Sequence, residues 1–184
     1  TLPLRIRPFA QKLFAAGRTG ITAGSKAEQE AAVYLLDRGI ADPLPVADRE
    51  VDDVEIVVPV YKHADSLERC LAALDATGLP VTVVDDASPR ADAARIRKTA
   101  EAHGARLIVH ERNGGPGEAR STGFEATDAP FVAFIDADAI AAPDWVARLR
   151  PLFDDPLVGA VAPRVRPDIR GTSTIELYEE TRSE

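Results

Sequence analysis

Two carboxylates one residue apart close the run Phe131-Val-Ala-Phe-Ile-Asp136-Ala-Asp138. Its five consecutive apolar residues are about the length of one strand buried on both faces. Acids at the end of such a strand are costly to bury unless something positive is supplied. A divalent cation carrying a diphosphate is an economical candidate, because hard cations prefer oxygen ligands. In an extended backbone both carboxylates point to one side. One could then ligate the ion directly, while the other holds a ribose hydroxyl or a metal-bound water. An Asp-x-Asp is common by chance. The strand before it, with Pro143 and Trp145 opening a helix just after, is what gives this one weight.

Further chemistry-bearing residues stand at other strand ends. Asp85 and Asp86 directly follow Val83 and Val84. One of the pair could accept from a donor-rich ligand edge, such as a base N–H, while the other caps the loop with Ser88. Asp also commonly ends a strand and opens a helix, so the pair alone leaves both readings open. Gly114-Gly-Pro-Gly117 precedes a helical stretch, where backbone can pass close to a ligand and aim N–H groups at phosphate. It lacks the spacing of a dinucleotide fingerprint or a Walker loop. Arg120, in the first turns of that helix, could meet a pyrophosphate or simply be a solvated surface side chain. His63, His103 and His110 show no ligand spacing and receive no catalytic role. No Gly-x-Ser-x-Gly elbow occurs.

These residues need a scaffold, and the apolar pattern describes one. Candidate strands are Val54–Val60, Val81–Val84, Arg106–Val109, Phe131–Ile135 and Val158–Ala162. Between them lie helical segments at Ser66–Ala76, Ala91–Ala102, Gly117–Ala126 and Asp144–Phe153. Such alternation predicts an α/β fold, a Rossmann-like and mostly parallel sheet with helices on both faces. In open sheets of this kind ligands bind beyond the carboxyl ends of the strands. All four polar punctuations, Pro59–His63, Asp85–Ser88, Arg112–Gly117 and Asp136–Asp138, would converge on that one edge.

Residues 1–48 read differently, as a small helical or winged-helix module before the main part at 49–184. Arg5–Ala16 is one expected helix, and Ser25 caps a second over Lys26–Arg38 that stops at Gly39. Asp42-Pro-Leu-Pro45 then breaks regularity. The chain has no Met, and Ile175–Glu184 reads as a helix cut partway, so the expectation is a piece of a longer protein.

Composition sets outer bounds. The 184 residues, 45% hydrophobic and 28% charged, are an ordinary globular mixture. A net charge of −8 argues against nucleic acid as a partner, since duplex binding relies on Lys and Arg. No run approaches the roughly 20 apolar residues that span a bilayer. The single cysteine, Cys70, reads as a small core residue of a helix and fits a reducing cytosol. The expected location is therefore cytoplasmic. Association with the inner face of the membrane would have to come from sequence beyond residue 184.

As an ordered set, the motifs Val57-Val-Pro-Val-Tyr61, Leu67–Leu74, Val83-Val-Asp-Asp-Ala-Ser88, Asn113–Gly123 and Phe134–Asp138 resemble the family-two inverting glycosyltransferases, which have the GT-A fold. The resemblance covers roughly Val54 to Pro163. It implies a sugar, glucose by preference, transferred from a uridine diphosphate (UDP) sugar. Pro59 and Tyr61 would hold the base, and Asp86, with Asp85 beside it, would bind the uracil edge. Gly115 to Arg120 would line the donor near its pyrophosphate. Asp136 would face the ribose or sugar, and Asp138 would ligate Mg²⁺ or Mn²⁺ as the cofactor. A narrower likeness, carried by Phe153–Arg166 and the leading module ending in Leu35–Pro43, is to the mycofactocin-system glycosyltransferases. It implies a modified peptide, or a redox cofactor derived from one, as acceptor. Cell-envelope polysaccharide or lipid acceptors, and a donor-binding piece without activity, are the alternatives.

Two departures qualify the likeness. Ser121 stands where the family usually has Asn, and no position matches the family's general base, which is expected beyond Glu184. The 184 residues should therefore bind donor but transfer sugar poorly. Sugar nucleotidyltransferases usually place a Gly-rich signature after the first strand, where this chain has Pro59-Val-Tyr-Lys-His63. Asp-x-Asp phosphatases place the acidic pair after the first strand rather than the fourth.

Overall fold

The computed structural model describes residues 2–41, 43, 50–163 and 165. The helix expected over Ile175–Glu184 and most of the break at Asp42–Pro45 lie outside them. The chain divides into two compact units between Val46 and Ala47.

In the first unit α1 (Arg7–Ala16) and α2 (Lys26–Leu36) pack through Ile6, Phe9, Ala10, Ala31 and Leu35. Ser25 begins α2 with a reciprocal cap. Its hydroxyl accepts the Glu28 N–H at 3.2 Å, and Glu28 Oε2 accepts the Ser25 N–H at 3.3 Å. Lys12 on α1 reaches the same carboxylate at 2.6 Å. Together with the N–H groups of Ser25 and Gly24 it holds Glu28 down at a pKa of about 2.

The second unit is built on four parallel strands: β1 (Val54–Val60), β2 (Val81–Asp85), β3 (Arg106–Val109) and β4 (Phe131–Phe134). They lie in the order β3-β2-β1-β4, with Val58 opposite Val83, Val84 opposite Ile108 and Ile56 opposite Ala133. α3 (Ala64–Leu74) and α4 (Arg90–Ala102) cover one face, α5 (Pro116–Glu125) covers the other, and α6 (Trp145–Leu149) follows β4. Alternation along β1 sorts the core between them. Ile56, Val58 and Val60 join Leu67, Leu71, Leu74, Ile96 and Ala100 on one side, whereas Val57 meets Val84 and Ala119 on the other. α5 sits so close that a Cβ added at Gly123 would lie 2.3 Å from Val57 Cγ1.

Two expectations change. Val158–Ala162 forms no strand, because a strand exists by pairing and no neighbouring strand among the described residues offers it a ladder. The helix expected over Asp144–Phe153 stays α-helical only to Leu149 and continues as a 3₁₀ turn from Arg150 to Asp154. Pro151 explains the change, since it supplies no N–H and its ring crowds the preceding turn.

Candidate active site

The chain leaves β1 toward β2 and β3, then returns to add β4 on the other side of β1. That reversal makes the crevice beyond the carboxyl ends of β1 and β4 the place where an open α/β sheet takes a ligand. Pro59 stands on its rim. The backbone carbonyls of Asp53, just before β1, and of Val57 within it bond toward β4 (Phe131 N–H to Asp53 O, 3.1 Å; Ile135 N–H to Val57 O, 3.2 Å). Pro59 is next on that side, but the β4 ladder has already ended, so its missing N–H removes no sheet bond.

Beyond Pro59 the β1 and β2 loops are tied together. The Lys62 N–H donates to Ser88 Oγ at 2.8 Å, the Ser88 N–H to Asp85 Oδ1 at 3.0 Å, and the Asp86 N–H to Val60 O at 2.9 Å. Lys62 and Ala87 both have positive φ, at 70° and 57°. Non-glycine residues hold that conformation only where the surroundings over-determine it, commonly at ligand sites. Tyr61 is 40% exposed, with the Lys62 ammonium 4.7 Å from its ring centre. Asp85 has no exposed surface, and its Oδ2 is buried without a hydrogen-bond partner.

Asp86 is engaged by the glycine loop and by His110. Its carboxylate accepts the N–H groups of Gly114 (2.9 Å) and Gly115 (2.7 Å) and bonds His110 Nδ1 (2.8 Å). Its carbonyl accepts from Asn113 Nδ2 at 3.1 Å. An ionised carboxylate offers about four lone-pair sites, so little acceptor capacity remains. Burial pushes the Asp86 carboxyl upward, but the two N–H groups and His110 outweigh it and hold the group below its usual range. His110 continues to Thr122 Oγ1 on α5 at 2.9 Å. The glycine loop and the start of α5 are thus fixed to the end of β2 through one carboxylate, and Gly115 takes a φ of 87° that a side chain would strain. The histidine spacing gave no hint of this, because His110 acts through residues brought together only when β2, β3 and α5 assemble.

β4 ends at Phe134, so Asp136-Ala-Asp138 is not extended as expected. It is a turn, closed by the Ala139 N–H on Asp136 O at 2.9 Å. The alternation argument for both carboxylates therefore lapses. Both are nevertheless exposed, while Ala137 between them is buried against α3. Cys70 of α3 lies beneath, its thiol directed at Asp136 O at 3.7 Å. Burial pushes that thiol up to about 11, with the charges of Asp138 and Asp136 adding to the effect. Arg120 Nη2, from α5, donates to Asp136 Oδ1. Shallow hollows of about 310 and 330 Å³ flank α5, the first lined by Arg120, Ser121, Phe124, Glu125 and Phe134.

Asp136 and Asp138 pass a limited test as metal ligands. No third His, Cys, Asp or Glu joins them in a metal-ligating group among the described residues. Two exposed carboxylates are too few for a protein cage, but they suit Mg²⁺ or Mn²⁺, hard ions that take carboxylates together with water and phosphate oxygens.

With this arrangement, residues 55–183 match the family described as Glycosyl transferase family 2. The chain belongs to that family. It is 35% identical over 177 residues to the pre-mycofactocin glycosyltransferase of Mycobacterium tuberculosis, covering 96% of this chain and 36% of that protein. It is also 35% identical over 108 residues to the succinoglycan biosynthesis protein ExoO of Rhizobium meliloti, covering 57% of this chain and 31% of that protein. The chain thus spans about a third of each relative. Among solved structures it is similar to the mannosyltransferase PcManGT from Pyrobaculum calidifontis, in complex with GDP-Man and Mn²⁺. That similarity has 24% identity and a TM-score of 0.59, over 89% of this chain and 47% of that one. The fold is accordingly that of the GT-A glycosyltransferases.

Proposed function

We propose that this chain is the donor-binding part of a metal-dependent inverting glycosyltransferase, which moves a sugar, glucose by preference, from a UDP-sugar to an acceptor. The observation that carries the reading is the convergence of the Tyr61–Lys62 loop, the Asp85–Ser88 loop, the glycine loop with Arg120, and the Asp136–Asp138 turn on the carboxyl edge of one parallel sheet.

In this account Pro59 and Tyr61 border the base, with the Tyr61 ring offering a stacking face. Asp86, with Asp85 beside it, is assigned to the uracil edge, and Asp86 also holds Gly114 and Gly115 in place. Gly115 and Arg120 line the diphosphate, and Asp136 and Asp138 would hold Mg²⁺ or Mn²⁺, with Asp138 the direct ligand. The bound ion supplies neutralisation of the charge that develops on the departing nucleoside diphosphate. The general base that takes the acceptor hydroxyl proton is expected outside these residues, so transfer by this chain alone should be slight.

For the acceptor, the 35% identity to the pre-mycofactocin glycosyltransferase across 96% of the chain favours a modified peptide or a cofactor made from one. The shorter match to ExoO keeps an envelope polysaccharide as the second reading. The leading unit at 1–48 is then a separate module, distinct from the part that binds the donor. No described helix is long and apolar enough to cross a membrane. The cytoplasmic location, with the inner membrane face reached through other parts of a longer protein, stands as part of this proposal.

Calorimetric titration of the chain with uridine, guanosine and thymidine diphosphates, each with and without Mn²⁺, tests the donor. Tighter binding of UDP than of the other two, strengthened by Mn²⁺, is expected. Preference for guanosine diphosphate would transfer the donor assignment to GDP-sugars, and no metal-strengthened binding of any of the three would end the reading.

A further inference from the structure

Two exposed acids at one turn repel each other, and the structure supplies a cation to one of them. Arg120 donates from the second turn of α5 to Asp136, and the two side chains are 36% and 61% exposed, so the pair is open to exchange with solvent. A divalent ion that reached Asp136 while the guanidinium stayed would set like charges side by side.

We propose that Arg120 is the resident counter-ion of Asp136 and changes partner when the donor arrives, so that the divalent ion and the nucleoside diphosphate enter as a coupled pair. The proposal rests on the donor-site reading above. A divalent ion held at this turn, with Asp138 its direct ligand, would balance the Asp136 charge in place of the guanidinium, and the diphosphate would give the released Arg120 a new anionic partner, one that its planar fork can grip with two N–H groups. The surrounding backbone is held on both sides. α5 is seated against Val57 at Gly123, the loop before it is fixed by Asp86, and the Asp136 carbonyl is engaged by Cys70. A side-chain rotation therefore suffices. Because both ligands act through one guanidinium, each must strengthen the other by the same factor.

The test is titration of Mn²⁺ into the 184-residue chain, alone and with saturating UDP, for wild type, Arg120→Met and Arg120→Lys, after melting curves establish that each variant folds. Wild type should bind Mn²⁺ weakly alone and about tenfold or more tightly with UDP, within the usual range of coupling between sites. Arg120→Met should bind Mn²⁺ alone about two- to fivefold more tightly, the scale of an exposed ion pair that no longer competes. Its UDP binding and its coupling should both fall, and Arg120→Lys should lie between. Coupling in wild type that persists unchanged in Arg120→Met, or Mn²⁺ affinity unchanged or weakened by that substitution, overturns the proposal while leaving the donor site intact. Absence of any Mn²⁺-dependent UDP binding in wild type removes the donor-site reading and the proposal together.

Discussion

Asp86 is the residue on which the shape of the site depends most. Its carboxylate is 4% exposed and gathers two loop N–H groups and His110. Hydrogen bonds to a buried charged group are worth about 1.5–3 kcal/mol each, and leaving donors unmatched costs more than the average bond contributes. Asp86→Asn should therefore destabilise the chain by about 2 kcal/mol, read from the urea midpoint at neutral pH. The group is held below its ordinary value of 3.8, so its stabilisation is complete above that value and is lost as pH falls through the lower folded value. Wild type should show an acid limb in that window that Asp86→Asn flattens. An unchanged limb would mean that Asp86 is not ionised in the fold. Asp85 and Asp86 were legible as a pair in the sequence, but their division of labour was not. Which acid meets Ser88 and which meets Gly114 depends on the strand face each occupies, and the glycines lie 28 and 29 residues away.

At the scale of elements, α5 owes its position to Gly123. An alanine there meets Val57 at a distance no real Cβ adopts, so α5 must move or Val57 must shift. Gly123→Ala should cost about 1–3 kcal/mol of stability, as overpacking does, visible as a lowered melting temperature. Val57→Ala in the same chain should recover part of that loss, because the two changes share one contact. α3 and α4 are joined in another way. His103 at the end of α4 bonds Asp75 at 2.8 Å and Glu68 at 3.3 Å. Burial pulls its pKa down, but the two carboxylates together raise it above the model-compound value of 6.5. The clamp is therefore complete below 6.5 and weakens as pH rises through the higher folded value. His103→Gln should remove that decline from stability measured against pH, and a decline that persists in the variant would place its origin elsewhere. The helices and strands themselves were legible because apolar periodicity is a local property. Val158–Ala162 shows its limit, since the run has strand composition yet pairs with nothing among the described residues. The Asp136–Asp138 turn shows another, because composition reveals that a strand ends but not whether the chain continues straight or turns.

For the molecule as a whole, distant segments are fastened by contacts that no motif announces. Arg150, just past α6, makes a forked contact with Asp53 (Nε to Oδ2 2.9 Å, Nη2 to Oδ2 2.7 Å), with its guanidinium carbon 4.0 Å from the centre of the Phe131 ring. These partners lie 97 residues apart, and the fork binds the segment after β4 to the residue that precedes β1. Arg150→Met should lower stability by about 2 kcal/mol, less than for a fully buried pair because Asp53 is 30% exposed, as measured by chemical denaturation. That the strand-end motifs meet at the carboxyl edge was legible at this scale, whereas the crevice between β1 and β4 follows from a strand order that only the structure shows. The acceptor half of the site was not legible, because no residue of the chain matches the family's general base. The central claim is that Asp138 would hold a divalent ion on which UDP binding at the sheet edge depends. UDP affinity measured with and without Mn²⁺, in wild type and in Asp138→Ala, tests this most directly. A strengthening of about tenfold or more by Mn²⁺ in wild type, lost in Asp138→Ala, is the predicted result. Equal strengthening in both proteins would contradict it.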